Sequence, residues 1–213
     1  MTISNESRGR IKQIFEPIAL AMGRAGLTPN ALTLIGFAIT AVGSVLVGLQ
    51  LWVIGGIVVF FGGVFDMFDG TLARATGQTS PLGAFMDSTF DKAGEILVFL
   101  GVIAGLLAAD VPDVPILVAA AAMGASILVS YVRSKSDGLG FSSGMGLAAV
   151  GVMPREVRLV IISIGIVLTG TSLGTTAIEF ALGVILVGAV ITVIQRILFV
   201  RSQAATAAQP RNQ

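Results

Sequence analysis

Long stretches without a charged residue run through most of this chain and limit what it can fold into. Residues 31–51 contain no Asp, Glu, Lys or Arg, and the same is true of residues 52–65, 96–109, 114–132 and 159–178. A helix of about 20 mainly apolar residues is long enough to cross a bilayer. Only 12% of the 213 residues are charged, against about 25% in a soluble domain. The sequence therefore predicts an all-α integral membrane protein.

Six transmembrane helices account for these stretches. The predicted spans are residues 31–51, Trp52 to beyond Asp66, Asp87 to residue 109, residues 114–132, and two that share residues 159–200 with a turn near residues 170–176. The second and third spans must carry acidic residues at their ends to reach the length of a span. A five-span alternative treats residues 159–200 as one long helix with an interfacial piece.

The thirteen Lys and Arg residues predict how the bundle is oriented. With six spans, all of them fall on one side of the membrane or at span ends on that side, and the opposite connections near residues 50, 110–115 and 170 hold none. The side rich in Lys and Arg is normally cytoplasmic. We therefore expect a multi-pass protein of the inner (plasma) membrane, with both termini in the cytoplasm. Five spans would scatter the cations over both sides.

The chain divides into three predicted segments. Residues 1–28 are polar and then amphipathic, with Ile11 and Phe15 at helical spacing opposite basic residues. This pattern predicts an N-terminal helix in the membrane interface, with a solvent-side helix packed on the bundle as an equal alternative. Residues 29–201 form the predicted six-span domain. Residues 202–213 are predicted to be a disordered tail.

The composition excludes several kinds of chemistry. The chain has no cysteine and no histidine, which rules out disulfides, zinc–thiolate sites, cysteine nucleophiles and imidazole bases. The net charge of +1 gives no reason to expect a nucleic acid as partner. Acid–base or metal chemistry must therefore use carboxylates, supported by Lys, Arg, Tyr or hydroxyl groups.

Acidic side chains concentrate at the predicted junction of the second and third spans. Asp66 and Asp69 are three residues apart, and Asp87 and Asp91 are four apart, so each pair lies on one face of its helix. Two neighbouring helices can thus direct four carboxylates into one cleft. Anions at membrane depth need compensation, and an all-oxygen site favours Mg²⁺, Mn²⁺ or Ca²⁺ over zinc. Two such ions suit phosphoryl transfer.

Two other interpretations compete with a metal site. The aspartates could cap helices or pair with Arg74 and Lys92, but Gly70, Ala73 and Gly83 on the same faces leave a cleft open between the carboxylates. An ion- or proton-coupled transporter also uses carboxylates in the membrane. Here, however, the acidic residues cluster at one face of the membrane rather than at its middle.

The segment "DMFDGTLARATGQTSPLGAFMDSTFD" resembles, without a gap, the signature of the CDP-alcohol phosphotransferase family, D-x2-D-G-x2-A-R-x8-G-x3-D-x3-D. The fixed positions are Asp66, Asp69, Gly70, Ala73, Arg74, Gly83, Asp87 and Asp91. The resemblance implies a six-span membrane enzyme in which a hydroxyl of an acceptor alcohol displaces CMP from a CDP-linked donor. We expect CDP-diacylglycerol as the donor, because the cleft opens at the membrane boundary.

The resemblance also implies roles for individual residues. The four aspartates Asp66, Asp69, Asp87 and Asp91 would hold two divalent ions, Mg²⁺ or Mn²⁺, and Asp91 would take the proton from the acceptor hydroxyl. The expected donor contacts are Asn30, Ala31, Leu32, Thr33, Gly70, Arg74 and Ser80. A homodimer is implied as well, and the GxxxG pair Gly101 and Gly105 permits close packing either between copies or within one bundle.

Cations at the ends of three predicted helices point to a phosphorylated acceptor. These residues are Arg133, Lys135, Arg155, Arg158 and Arg196. A converging set of cations predicts a phosphate on the acceptor alcohol, whereas simple positive-inside flanking is the alternative for each residue alone. Inositol phosphate and glycerol 3-phosphate both satisfy this requirement. The segments "FEPIALAMGRAGLTPNALT" and "GAVITVIQRILFVR" resemble bacterial phosphatidylinositol-phosphate synthases, which favours inositol phosphate; phosphatidylglycerophosphate synthesis is the alternative.

Overall fold

The computed structural model describes residues 5–141, 147 and 150–207, and within these residues all regular structure is helical. The helices are α1 (Asn5–Arg24), α2 (Pro29–Gly48), α3 (Trp52–Phe65), α4 (Met67–Thr76), α5 (Pro81–Ala108), α6 (Asp113–Gly138), α7 (Arg155–Thr169) and α8 (Thr175–Ala207). The prediction of an all-α protein is confirmed.

Several of these helices have the length and composition of membrane spans. Among the described residues, four qualify: Pro29–Gly48, Trp52–Thr76, Asp113–Gly138 and Thr176–Ala205. α5 is long enough at 28 residues but carries charged side chains in its first half. α7 is apolar only after its charged first turn and has only 15 residues. By length and composition alone, four helices of this membrane protein are able to cross a bilayer.

The second predicted span continues past its first aspartate. α3 ends at Phe65 and α4 begins at Met67, and Asp66 between them keeps helical angles of φ −57° and ψ −27°. The backbone N–H of Asp66 also donates to the Gly62 carbonyl at 3.2 Å. Because the chain direction is nearly unbroken, Asp66 and Asp69 keep the spacing that places them on one side of this helix pair.

The turn between α7 and α8 separates the last two helices. α7 ends at Thr169 and α8 begins at Thr175, with Gly174 in the left-handed region at φ 58°. The alternative of one long helix over residues 159–200 is therefore wrong. α8 continues through Ala207, so the first six residues of the predicted tail belong to this helix. The rest of the predicted tail, residues 208–213, lies outside the described part of the chain.

Glycines allow α2 to pack closely against its neighbours. α2 packs against both α3 and α5, while α7 packs against α3 and α8. A Cβ at Gly101 would lie 3.0 Å from the Ser44 carbonyl carbon, and one at Gly105 would lie 2.7 Å from the Val47 carbonyl oxygen. The GxxxG pair is thus used for α2–α5 packing within the chain. It gives no support to the predicted homodimer.

The N-terminal helix is joined to the bundle through α4. Ala19 is fully buried beside Leu72, and the rings of Phe15 and Phe68 lie 5.0 Å apart between centroids. This contact uses the apolar side of α1 that the sequence pattern predicts. The side chains of residues 5–14, Ile11 among them, are outside the described set. Over its second half, α1 therefore packs on the helix that carries Asp69.

Candidate active site

Carboxylates from two helices meet at one end of the bundle. Asp66, Asp69 and Asp87 each offer one oxygen, and these three oxygens lie within 4.8 Å of one another. Divalent cations with oxygen ligands bind at about 2.0–2.6 Å, so one ion can contact all three groups after small side-chain adjustments. The donor set therefore fits a hard divalent ion such as Mg²⁺ or Mn²⁺.

Asp69 is fixed by two hydrogen bonds before any ion binds. The Thr33 hydroxyl on α2 donates to Asp69 Oδ2 at 2.5 Å, and the backbone N–H of Gly70 donates to Oδ1. Both side chains are buried, with Asp69 5% exposed and Thr33 2% exposed. Because both carboxylate oxygens are engaged, Asp69 is held in one orientation toward Asp87. Thr33 is thus a support for the acidic group as well as part of the predicted donor segment.

Asp91 is linked to the acidic group through an arginine. Arg155 Nη1 lies 2.8 Å from Asp91 Oδ1 and 3.0 Å from Asp66 Oδ2. The sequence predicts that the four aspartates share two ions, and among the described residues Asp66, Asp69 and Asp87 form one set of three. Arg155 from α7 lies between Asp66 and Asp91 and neutralises part of their charge.

A cleft beside the carboxylates holds most of the predicted donor residues. Its walls come from the start of α2, from α4 and from the start of α5, and its lining includes Asn30, Thr33, Gly70, Arg74, Ser80, Asp69 and Asp87. A Cβ at Gly83 would lie 3.2 Å from the Ser80 hydroxyl oxygen and 3.4 Å from Asn30 Oδ1. A larger residue at this position would therefore fill the cleft, which explains the need for glycine.

Helix N-termini meet in the walls of this cleft. The Thr28 hydroxyl oxygen accepts from the Ala31 N–H at 3.2 Å at the start of α2, and the Ser80 hydroxyl oxygen accepts from the Gly83 N–H at 3.0 Å at the start of α5. Exposed N–H groups at helix starts favour anions. The Ser80 hydroxyl proton is not used by this cap, so it can still donate to a bound ligand.

Two residues of the predicted donor segment do not line the cleft. Leu32 is fully buried and packs with Ala19 and Phe68 under α1. Ala31 contributes its N–H to the α2 cap instead. The helical spacing explains this difference, because Asn30 and Thr33 share a face that the two residues between them do not.

The predicted acceptor cations separate into exposed and buried groups. Arg133 is exposed and lies 3.9 Å from Asp137 on its own helix, and Lys135 is also exposed. Arg155 is partly exposed between Asp66 and Asp91. These three side chains keep surface that a phosphate group can reach.

Arg158 and Arg196 are buried and already bound to protein groups. Arg196 is 4% exposed and donates from Nε to the Val150 carbonyl at 3.0 Å and from Nη1 to the Val129 carbonyl at 2.5 Å. Arg158 is 2% exposed and contacts Glu95 and the Met153 carbonyl. The sequence predicts phosphate contacts for both residues, and in the structure both guanidinium groups join segments of the fold. The third guanidinium nitrogen of Arg196, Nη2, takes part in neither of the two hydrogen bonds that Arg196 makes to Val150 and Val129.

The pairing of Glu95 with Arg158 is a feature that sequence reasoning missed. Arg158 Nε donates to Glu95 Oε1 at 2.8 Å, and Nη2 lies 2.7 Å from the same oxygen. The sequence places Glu95 four residues after Asp91 and Arg158 three residues after Arg155. These matched helical spacings were the available signal, because two contacting helices can align such residues in two successive pairs.

Comparisons with known proteins agree with this geometry. The family model for CDP-alcohol phosphatidyltransferases matches residues 26–194. The phosphatidylinositol phosphate synthase of Mycolicibacterium smegmatis is 34% identical over 203 residues, covering 92% of this chain and 87% of that protein. The archaetidylinositol phosphate synthase of Pyrococcus horikoshii is 34% identical over 168 residues, covering 78% and 84%.

A solved structure shares the fold at similar coverage. The phosphatidylinositol phosphate synthase of Mycobacterium tuberculosis, crystallised with manganese and citrate, superposes with a TM-score of 0.77 at 28% identity over 88% of this chain and 89% of that one. The same enzyme with CDP-DAG bound gives a TM-score of 0.76 over 88% and 94%. With the signature residues gathered around one cleft and a family model that spans most of the sequence, this chain belongs to the CDP-alcohol phosphatidyltransferase family.

Proposed function

We propose that this enzyme transfers a phosphatidyl group from CDP-diacylglycerol to a hydroxyl of inositol phosphate, giving phosphatidylinositol phosphate and CMP. The observation that carries the proposal is the cluster of carboxylates from Asp66, Asp69 and Asp87 beside the cleft of donor residues. The relatives named phosphatidylinositol phosphate synthase support the choice of acceptor. The structural neighbour described with CDP-DAG bound supports the choice of donor.

Asp66, Asp69, Asp87 and Asp91 are the proposed ligands of two divalent ions, Mg²⁺ or Mn²⁺. The three clustered carboxylates form the first set, and Asp91 completes the second beside Asp66. When bound, the ions supply positive charge that offsets the charge of the diphosphate and of the departing CMP. The manganese in the neighbouring crystal structure supports this choice of ion.

The donor diphosphate is proposed to lie in the cleft between α2, α4 and α5. Arg74 provides a guanidinium group, and Gly70 lets the backbone approach the phosphates. Asn30 and Ser80 provide polar contacts on the opposite wall. Hydrogen bonds of charged groups with phosphate are the stronger kind, so Arg74 supplies the main binding contribution of the chain itself.

Asp91 is proposed as the general base. The acceptor oxygen forms a bond to the phosphorus that carries the diacylglycerol, its proton passes to Asp91, and the bond from that phosphorus to CMP breaks with the electron pair leaving on CMP. Arg155 Nη1 is 2.8 Å from Asp91 Oδ1. An acceptor whose phosphate is bound at Arg155 is therefore held close to its base, which is an orientation effect.

The acceptor phosphate is proposed to bind Arg155, Arg133 and Lys135, which keep accessible surface. Arg196 can add its Nη2 from the side of α8. Arg158 is proposed to shape this region without touching the phosphate. Charge alone does not distinguish inositol phosphate from glycerol 3-phosphate, so the choice of inositol phosphate relies on the named relatives.

The bundle is proposed to cross the inner membrane six times, with the active site and both termini in the cytoplasm. α5 and α7 are the two spans added to the four that qualify by composition. The connections at the far end, residues 49–51, 109–112 and 170–174, contain no Lys or Arg, as expected of the non-cytoplasmic side. α1 is proposed to lie in the cytoplasmic interface. A homodimer is proposed from the family resemblance alone, and chemical cross-linking in native membranes tests it.

An acceptor panel tests the proposed function. Purified protein receives CDP-diacylglycerol and Mn²⁺ with inositol phosphate, glycerol 3-phosphate, inositol or serine, and mass spectrometry identifies the lipid product. We expect CMP release and phosphatidylinositol phosphate with inositol phosphate only. Phosphatidylglycerophosphate as the sole product would show that the acceptor is glycerol 3-phosphate. Ion flux in proteoliposomes without CMP release would show that the protein is a transporter and not an enzyme.

A further inference from the structure

Two successive ion pairs connect α5 with α7. The first joins Asp91 to Arg155 at 2.8 Å, and the second joins Glu95 to Arg158 at 2.7 Å. Asp91 and Glu95 are four residues apart on α5, so both lie on the side that faces α7. The first pair belongs to the proposed reaction, whereas neither member of the second pair touches a substrate in that reaction.

The second pair is more deeply buried than the first. The Arg158 side chain is 3% exposed and that of Glu95 is 10% exposed, whereas the Arg155 side chain is 30% exposed. Buried ion pairs contribute little net stability compared with apolar packing, and a buried charge must stay paired. The burial of a full guanidinium–carboxylate pair one turn from the active site therefore points to a purpose other than stability.

Arg158 also connects α5 to the segment that leads into α7. Its Nη1 donates to the Met153 carbonyl at 2.9 Å. The other side of that segment is held by α8, because the Met153 N–H donates to the Thr192 hydroxyl oxygen at 2.9 Å. Residues just before α7 are thus fixed from both directions, and Arg158 is the link to α5.

We propose that Glu95 is a positioning residue for the transfer reaction, acting through Arg158 to fix the first turn of α7 so that Arg155 stays beside Asp91. Glu95 is outside the carboxylate set that can share an ion, and its Oε1 is held by Arg158 Nε and Nη2, so it acts on the acceptor side through Arg158. Its second oxygen lies 3.7 Å from Lys92 Nζ, which keeps its negative charge compensated while Oε1 holds Arg158.

The inference rests on the proposed function, because it concerns how the acceptor is held relative to the base. Loss of the Glu95 charge releases Arg158 from α5, and the start of α7 can then shift relative to α5. Displacement of a positioned group by about 1 Å can lower a rate about 100-fold. The donor cleft is built by α2, α4 and the start of α5, and the set of three carboxylates adds only Asp66, just before α4. Donor binding and ion binding by that set are therefore expected to persist.

The test is steady-state kinetics on full-length Glu95→Gln in detergent, with CMP release as the signal. We expect the acceptor KM to rise and kcat to fall, each by about tenfold or more. KM for CDP-diacylglycerol and the Kd for Mn²⁺, measured by electron paramagnetic resonance, should stay within about twofold of wild type. Glu179→Gln makes the same chemical change near the start of α8, away from the site, and should match wild type in every value.

The split between substrates separates positioning from a structural role. Unchanged kinetics, or parallel weakening of acceptor, donor and Mn²⁺ binding, would overturn the proposal. If Glu95→Gln gives no folded protein, Arg158→Lys keeps the charge but loses the two-pronged contact, and the same split is expected there. Failure of both variants to fold would show a purely structural pair. An incorrect proposed function would already show in wild type, as the absence of acceptor-dependent CMP release.

Discussion

At the scale of single residues, Asp91 is the side chain on which the chemistry depends. Changing Asp91 to Asn removes the proposed base while Asp66 still holds Arg155 at 3.0 Å. We expect kcat to fall about 10²–10⁴-fold, the usual contribution of a general base, with CDP-diacylglycerol binding retained. CMP release and calorimetric titration with the donor check the two parts. Turnover close to wild type would remove Asp91 from the mechanism.

Thr33 offers a second test at this scale. Thr33→Val keeps the shape but removes the hydroxyl that donates to Asp69 Oδ2. Leaving a buried charged acceptor without its donor costs about 1–3 kcal/mol or more, so we expect a lower Tm and weaker Mn²⁺ binding. Thr169→Val is the matched control, because that buried hydroxyl bonds to the Gly165 carbonyl of its own helix at the far end. Equal effects of both variants on Mn²⁺ binding would contradict this role.

At the scale of helices, the α2–α5 contact sets the width of the cleft. In Gly101→Ala, the new methyl group would lie 3.0 Å from the Ser44 carbonyl carbon, so the two helices must separate. Overpacking of this kind costs about 1–3 kcal/mol. We expect a lower Tm together with a higher KM for CDP-diacylglycerol.

Gly124→Ala provides the control for this helix contact, since a Cβ at Gly124 would meet no atom within 4 Å. It should leave Tm and KM near wild type, because alanine also favours the helical state. A Gly101→Ala protein as stable and active as the Gly124→Ala protein would show that the α2–α5 contact is not tight.

The sequence predicts contacts within a helix far better than contacts between helices. Helical spacing predicts that Asp66 and Asp69 share a face, and it predicts the same for Asp87 and Asp91, because an i, i+3 or i, i+4 relation is local. It does not reveal that Arg155 would lie between Asp66 and Asp91. That contact depends on how α7 is placed against α5 by the rest of the bundle.

The same limit explains why the sequence did not predict that two of the acceptor cations are buried. In the spans predicted from the sequence, Arg158 and Arg196 stand at helix ends among other cations, as a phosphate site requires. Their burial depends on carbonyls of segments distant in the chain, such as Val129 for Arg196. Leu32 is the opposite case, because helical spacing alone places it on a different face of α2 from Thr33.

At the scale of the whole molecule, the absence of native cysteine makes the topology directly testable. Single cysteines at Asp113 and Ser172 report on the end without cations, and one at Gln78 reports on the active-site end. A membrane-impermeant maleimide should label the first two in intact cells and Gln78→Cys only after permeabilisation. Protection of Ser172→Cys in intact cells would show that α7 does not cross, and six spans would be contradicted.

The most direct test of the central claim joins metal binding to turnover. Wild-type protein is depleted with EDTA and titrated with Mn²⁺, while bound ion and acceptor-dependent CMP release are followed in parallel. We expect both to rise together, with two ions bound at full activity, and both to be lost in Asp66→Asn, Asp69→Asn and Asp87→Asn. CMP release that persists without a divalent ion, or Mn²⁺ binding that survives in all three variants, would contradict the account.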